Sequence, residues 1–166
     1  MLRTLIISAV SGAALTFSVT AFAGGQGPEE AKAMLQKAVA AVKADQTLAL
    51  IMFVKGESGF LDGDLYPFCF RIADGKALAT PKAVKAGSDI KSLKDADGNN
   101  YGLELYAAGQ KPEGKITEIK SYKFPKPGTT EPTFSKISFV TKVGELACGV
   151  GYYKSVSYTH LTLPTN

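Results

Sequence analysis

The run ELACGVGYY constrains the fold of this chain more than any other. In it Ala147, Gly149, Gly151 and Tyr153 alternate against Leu146, Cys148, Val150 and Tyr152. Successive side chains of a strand point to opposite faces, so one side of this strand is almost bare and the other bulky. An earlier run, DLYPFCFRIADGKALATP, reads as two strands joined at Asp74-Gly75, a favoured two-residue hairpin turn. On the first of these, Tyr66, Phe68, Phe70 and Ile72 share one face, while Cys69 and Arg71 share the other. Pro67 predicts that this strand begins late or is partly unpaired. If the last strand lies beside it, the bare face meets the aromatic one, which leaves room for a packed helix or a small ligand.

Two more runs, KITEIKSYKFP and TFSKISFVTKV, read as strands linked by the proline-rich stretch Pro125–Pro132, with a turn at Gly144 before the last strand. Ahead of all strands, Pro28-Glu29-Glu30 suits the first turn of a helix, and Ala31, Met34, Leu35, Ala38, Val39 and Val42 recur at the spacing of one helix face. A second helical piece is expected over Asp45–Val54 with Leu48, Ile51 and Met52 inward, stopped by Gly56 and Gly59. A short helix is expected over Tyr101–Ala108. Helices segregated from runs of antiparallel strands predict an α+β domain. At 166 residues the chain suits one such domain rather than two.

The first 23 residues, MLRTLIISAVSGAALTFSVTAFA, carry a single charge, Arg3, then a mostly apolar run and the small-residue site Ala21-Phe22-Ala23. That is the layout of a secretory signal peptide, with an uncleaved membrane anchor as the competing reading. Cleavage after Ala23 removes Arg3 and lowers the formal charge from +4 to +3. Export sets Cys69 and Cys148 in an oxidising compartment, where an even count argues for a disulfide over two buried thiols.

Sharper chemistry finds little support. The lysines are scattered, not blocked, which argues against a nucleic-acid partner. The cysteines have no metal-spaced companions, so no zinc or haem cofactor is expected. Asp95, Asp97 and Asn99 have the spacing of the first calcium-loop ligands, but Asn100 stands at the glycine position and Tyr106 at that of the bidentate glutamate. A polar turn is expected there instead. There is no G-x-S-x-G elbow, and Asp62 and Asp64 flank Gly63 in what reads as a solvated turn. No enzyme activity is expected.

The stretches DLYPFCFRIADGKALATP, DIKSLKDADGNNYGLELY, KSYKFPKPGTTEPTFSKISFV and CGVGYY, taken in order, resemble the single Cache domain, an extracellular ligand-sensing relative of the PAS-like fold. The similarity runs from Pro28 to Lys154. It implies a long N-terminal helix on a five-stranded antiparallel sheet whose first and last strands are neighbours. Cys69 and Cys148 would then face each other, and a bridge closing so long a loop stabilises by roughly 4 kcal/mol. The resemblance also implies a pocket for a small metabolite, often a short carboxylate or an amino acid. Tyr122 and Phe124 match its aromatic pair, and Lys136 the lysine that opens the next strand. Tyr101 belongs to the covering segment, while Tyr66 and Phe68 supply an apolar wall. Two departures bear on the ligand: GELAC replaces an aromatic ahead of the last strand, and Phe139 stands where a tyrosine is frequent.

The only histidine, His160, lies in SVSYTHLTLPTN. Val156–Thr165 is the translation of GTC TCT TAT ACA CAT CTG ACG CTG CCG ACG, a transposase-type sequencing adapter, so residues 155–166 are read as a non-native tail. The expectation is therefore a signal peptide (1–23) followed by one Cache-like domain (24–154). That domain is a non-enzymatic periplasmic or secreted binder of a short anionic metabolite, partnered by a membrane signalling protein. The rival reading is a cell-envelope interaction module with a collapsed pocket.

Overall fold

The structure, a computed structural model, describes residues 27–80 and 83–154. The expected leader and the expected non-native tail lie outside those residues.

Helix α1 spans Pro28–Ala44, with proline in its first turn and the Glu30 carboxylate accepting from the Gly27 N–H at 3.1 Å. The expected stripe is the buried face: Ala31, Met34, Leu35, Ala38 and Val42. Asp45 breaks the helix in an extended conformation (φ −156°) and starts the next one. Its N–H donates to the Ala41 carbonyl at 3.0 Å, while its Oδ1 accepts from the Leu48 N–H at 2.9 Å. Helix α2 then runs over Gln46–Lys55 and stops at Gly56, which adopts the left-handed conformation (φ 70°).

The face that α2 buries differs from expectation. Ala49 and Phe53 turn inward, and Phe53 meets Phe60 edge-on at 4.5 Å. Met52 is half-buried, but Leu48 and Ile51 are 52% and 46% exposed. The segment QTLALIMFV is apolar on every side, so its periodicity carries almost no phase. The pivot at Asp45 and the Phe53–Phe60 contact choose the face instead.

Strands β1 (Pro67–Arg71), β2 (Ala77–Ala79), β3 (Thr117–Phe124), β4 (Phe134–Val143) and β5 (Leu146–Tyr153) form one sheet in the order β2-β1-β5-β4-β3. Every pair is antiparallel. Pro67 is the first residue of β1 and pairs with Val150, a position where a proline costs no ladder bond. The β1–β2 connection is longer than the predicted two-residue turn. It occupies residues 72–76: the Arg71 N–H donates to the Lys76 carbonyl and the Gly75 N–H to the Arg71 carbonyl, both at 2.9 Å. Asp74 closes the loop by accepting from the Lys76 N–H and from Arg71, both at 3.0 Å.

The two faces of the sheet are covered differently. Helices α1 and α2 pack on the face that carries Cys69, Cys148, Phe139, Val143, Leu146 and Val150. Cys69 and Cys148, directly opposite each other on β1 and β5, are joined in a disulfide. Helix α3 (Tyr101–Gly109) and a 3-10 turn (Ile90–Ser92) cover the other face, over Phe68, Phe70, Tyr122, Phe124, Val140, Ala147 and Tyr153. The result is the α+β arrangement that the strand and helix patterns predict.

Candidate functional site

On the α3 face the period-two patterns of β1, β3, β4 and β5 bring Phe68, Tyr122, Phe124, Lys136 and Tyr153 to the same side. The glycines of β5 decide how closely these side chains approach the sheet. A Cβ on Gly149 would come within 2.5 Å of the Phe68 ring, and one on Gly151 would overlap Lys136 Cε. The bare side of β5 therefore lets the Phe68 ring and the lysine stem lie flat on the backbone. Further along, Gly109 of α3 seats directly on Ala147, where a Cβ would lie 2.7 Å from the alanine methyl. Both expected uses of that face occur, the packed helix at one end and open space at the other.

That space is a cavity of about 30 Å³, enough for roughly two water-sized groups. Phe68 and Phe70 wall it from β1, Tyr122 and Phe124 from β3, Lys136 from β4, and Tyr101 and Leu105 from α3. Thr80, Val84, Ile90 and Leu93 complete it from the chain between β2 and α3. Tyr101 stacks on Tyr122 with centroids 4.2 Å apart and planes at 5°, and Phe124 stands edge-on to both. Asp95 holds this arrangement together at the sheet edge. Its Oδ1 accepts from the Asp97 and Asn99 N–H groups, and its Oδ2 from Asn99 Nδ2 and the Lys123 N–H, at 2.8–3.1 Å. The polar turn thereby ties the start of α3 to β3, between Tyr122 and Phe124.

Lys136 is 1% exposed. Its Nζ donates to Tyr66 Oη at 2.6 Å and lies 4.0, 4.9 and 5.1 Å from the ring centroids of Tyr66, Phe124 and Tyr153. Among the described residues no carboxylate forms an ion pair with it. Asp64, the acid whose charge reaches it, is bonded to Lys126 at 2.6 Å. Desolvation of the charged form pushes the Lys136 pKa down to about 7, against a smaller opposing pull from Asp64. Tyr66 Oη lies 3.4 Å from Tyr153 Oη, which donates to the Pro125 carbonyl at 2.6 Å. Tyr122 Oη and Ser138 Oγ are hydrogen-bonded at 2.8 Å. Burial raises all of these phenols, Tyr153 and Tyr101 to about 12 and Tyr66 and Tyr122 further. They stay protonated at any ordinary pH.

Of the six residues singled out from the sequence, Tyr122, Lys136, Phe124, Tyr101 and Phe68 line the cavity. Tyr66 stands one step behind, against the lysine Nζ. Phe139 faces away: it lies on the α1 side, stacked on Tyr152 (6.0 Å) beneath the Lys32 ammonium (5.0 Å). The hydroxyl absent at this position is thus not missing from the cavity. Ser138 and Tyr153 were not anticipated, although a period of two from Lys136 and from Gly151 leads directly to them. Thr80, Val84, Ile90 and Leu93 belong to irregular chain, where no periodicity marks them. A broader groove of about 210 Å³ lies on the other face between α1 and β4. Its ion pair, Lys43 with Glu113, is open to solvent, so it lacks the buried charge of the enclosed site.

Residues 24–155 match the family described as Single Cache domain 2. Among curated proteins none matches the sequence. A methyl-accepting chemotaxis protein from Vibrio parahaemolyticus is similar in structure, with a TM-score of 0.55 at 22% identity over 75% of this chain and 86% of that one. A Cache chemosensory domain, described as the structural basis for carboxylic acid recognition, superposes with a TM-score of 0.56 at 24% identity, over 76% and 88% of the two chains. The periplasmic sensor domain of a chemotaxis protein gives 0.55 at 21% identity, over 76% and 90%. At these identities the likeness establishes the fold.

Proposed function

We propose that this chain, which belongs to the single Cache domain 2 family, binds a short monocarboxylate in the cavity beneath α3 and acts as a sensing domain without chemistry of its own. The observation that carries this reading is Lys136, a buried amine facing an aromatic cavity with no protein carboxylate paired to it among the described residues. A buried cation is stable when it is paired, and an anion in the cavity completes the pair. Among the described residues no acidic side chain lines the cavity, so the ammonium of an amino acid would go unpaired there. Among them Lys136 is the only cation in the lining, so the second carboxylate of a diacid would also go unpaired. The small volume and the surrounding Phe68, Phe70, Ile90 and Leu105 suit a tail of one or two carbons.

In this reading Lys136 neutralises the carboxylate, the Tyr122 hydroxyl orients it, and Tyr66 positions the lysine. Tyr101, Phe124 and Phe68 enclose the tail. A carboxylic-acid-recognising Cache domain among the similar structures supports the same class. A leader over residues 1–23 would deliver the domain to the periplasm, and a membrane signalling protein would receive the signal. Among the described residues no helix is long and apolar enough to cross a membrane. The tightness of the cavity favours one other reading, an interaction module that holds no ligand.

A thermal-shift series of the oxidised protein separates the two. Acetate, propionate and pyruvate are expected to raise the melting temperature, with about 2.7 kcal/mol of stabilisation at a hundredfold excess over Kd. Glycine and succinate are expected to leave it unchanged, and Lys136→Met to abolish the response. A folded protein indifferent to every acid would favour the interaction module.

A further inference from the structure

We propose that the empty site holds Lys136 as an uncharged amine above neutral pH, and that a carboxylate ligand brings a proton in with it. The inference rests on the carboxylate reading above and concerns how that site responds to pH. The proton comes from the buffer: an N–H bond forms at Nζ as the anion enters, and the buried pair is an ammonium carboxylate.

The geometry supports both protonation states without stranding a polar group. Nζ has one hydrogen-bonding neighbour, Tyr66 Oη, and behind it run Tyr153 Oη and the Pro125 carbonyl. A charged lysine donates to Tyr66, which passes its own proton on to Tyr153. A neutral lysine can keep that bond or accept from the Tyr66 hydroxyl. In either case Tyr153 still donates to Pro125, and among the described residues the ammonium's charge meets ring faces but no anion.

The groups that surround Nζ leave Lys136 as the one that titrates. Tyr66 precedes β1, Tyr122 projects from β3, Tyr153 from β5 and Tyr101 from α3, and burial holds all four phenols protonated. Ser138, on the same strand, is bonded to Tyr122. Asp64 pairs with Lys126, and Lys123 reaches Ser135. Desolvation, opposed by a smaller pull from Asp64, brings Lys136 to about 7. A carboxylate placed beside it favours the charged form and raises that value in the complex.

Thermodynamic linkage then sets the sign. Below pH 7 the ligand meets an ammonium already formed, and affinity is flat. Above it, each ligand must recruit a proton, and Kd rises about tenfold per pH unit until the pKa of the complex is reached. The carboxyl group of the ligand titrates near pH 4 to 5, well away from this range.

The test is calorimetry of propionate binding to the oxidised protein in phosphate and in Tris, whose ionisation enthalpies differ, at pH 6 and pH 8.5. The expected result is uptake of nearly one proton per propionate at pH 8.5 and little at pH 6, with a correspondingly weaker Kd at the higher pH. The 13Cε shift of Lys136 in the wild-type protein is expected to titrate near neutrality when empty and above pH 9 with propionate. Lys136→Arg, which keeps its charge throughout, is expected to bind without proton uptake. Tight binding at pH 8.5 with no buffer dependence would overturn the inference and leave the carboxylate reading standing. So would uptake that persists in Lys136→Arg. Absence of monocarboxylate binding at every pH would overturn both.

Discussion

The two faces of this sheet are built to different ends. Under α1 and α2 the side chains are aliphatic or aromatic, the helices are capped, and a disulfide ties the first strand to the last. Under α3 the same strands present Tyr122, Tyr153 and a buried lysine beside a small void, joined by Tyr66 from ahead of β1 and Tyr101 from α3. A face that maximises stability has no use for an amine that costs free energy to bury. The proposed recognition of an anion gives it one, because a dry cation without a carboxylate partner interacts strongly with a carboxylate that reaches it. The disulfide side supplies the stability that lets the other side carry this strain.

The comparison is easiest to break at the disulfide. Removing it with Cys69→Ala and Cys148→Ala together is expected to cost about 4 kcal/mol in a denaturant melt, since the bridge closes a long loop. Ligand affinity of the molecules that remain folded is expected to be unchanged. A large loss of affinity would mean that the two faces are not separable.

Lys136→Met is expected to act in the opposite direction, stabilising the empty protein at pH 7 by about 1–4 kcal/mol while abolishing the response to acids. The pH dependence sharpens this. The lysine titrates near 7 in the folded chain and near 10.4 in the unfolded one, so between those values the unfolded chain holds the extra proton. Stability of the empty wild-type protein therefore rises with pH across that window, through this group, and the rise is absent in Lys136→Met. Parallel profiles for the two proteins would contradict the assignment.

The smallest effect is expected on the outer side of α2. Leu48→Ser changes a half-exposed side chain and should alter stability by no more than about 0.5 kcal/mol. Phe53→Ala, one turn away and buried, should cost about 3–5 kcal/mol. Equal costs would mean that α2 packs in the phase its sequence first suggests.

Most of the architecture was legible because strands and helices write different periods. Period two along β1 and β5 sorted their residues onto the two faces correctly, including Cys69 and Cys148 on one and Phe68 on the other, while Lys136 of β4 was reached through the family resemblance. The same rule, carried two residues further, would have reached Ser138 and Tyr153. It failed at α2, whose apolar residues surround the helix and leave no phase to read. The local preference of Asp-Gly for a tight hairpin also failed in the β1–β2 loop, where Arg71 pairs with Lys76 and Asp74 bonds to both of them across a longer connection. The residues between β2 and α3 that complete the cavity follow no period at all.

The amino-acid sequence by itself determined the elements, the face on which each strand residue lies and, with two cysteines, the only possible bridge. These follow from local stereochemistry and composition. That no carboxylate among the described residues pairs with Lys136 was decided by the tertiary structure alone. Asp64 and Lys126, far apart along the chain, meet at 2.6 Å, and three rings, those of Tyr66, Phe124 and Tyr153, close around the amine instead. Charge pairing is a property of distances through space, and no pattern along the chain encodes which acid will be near which base.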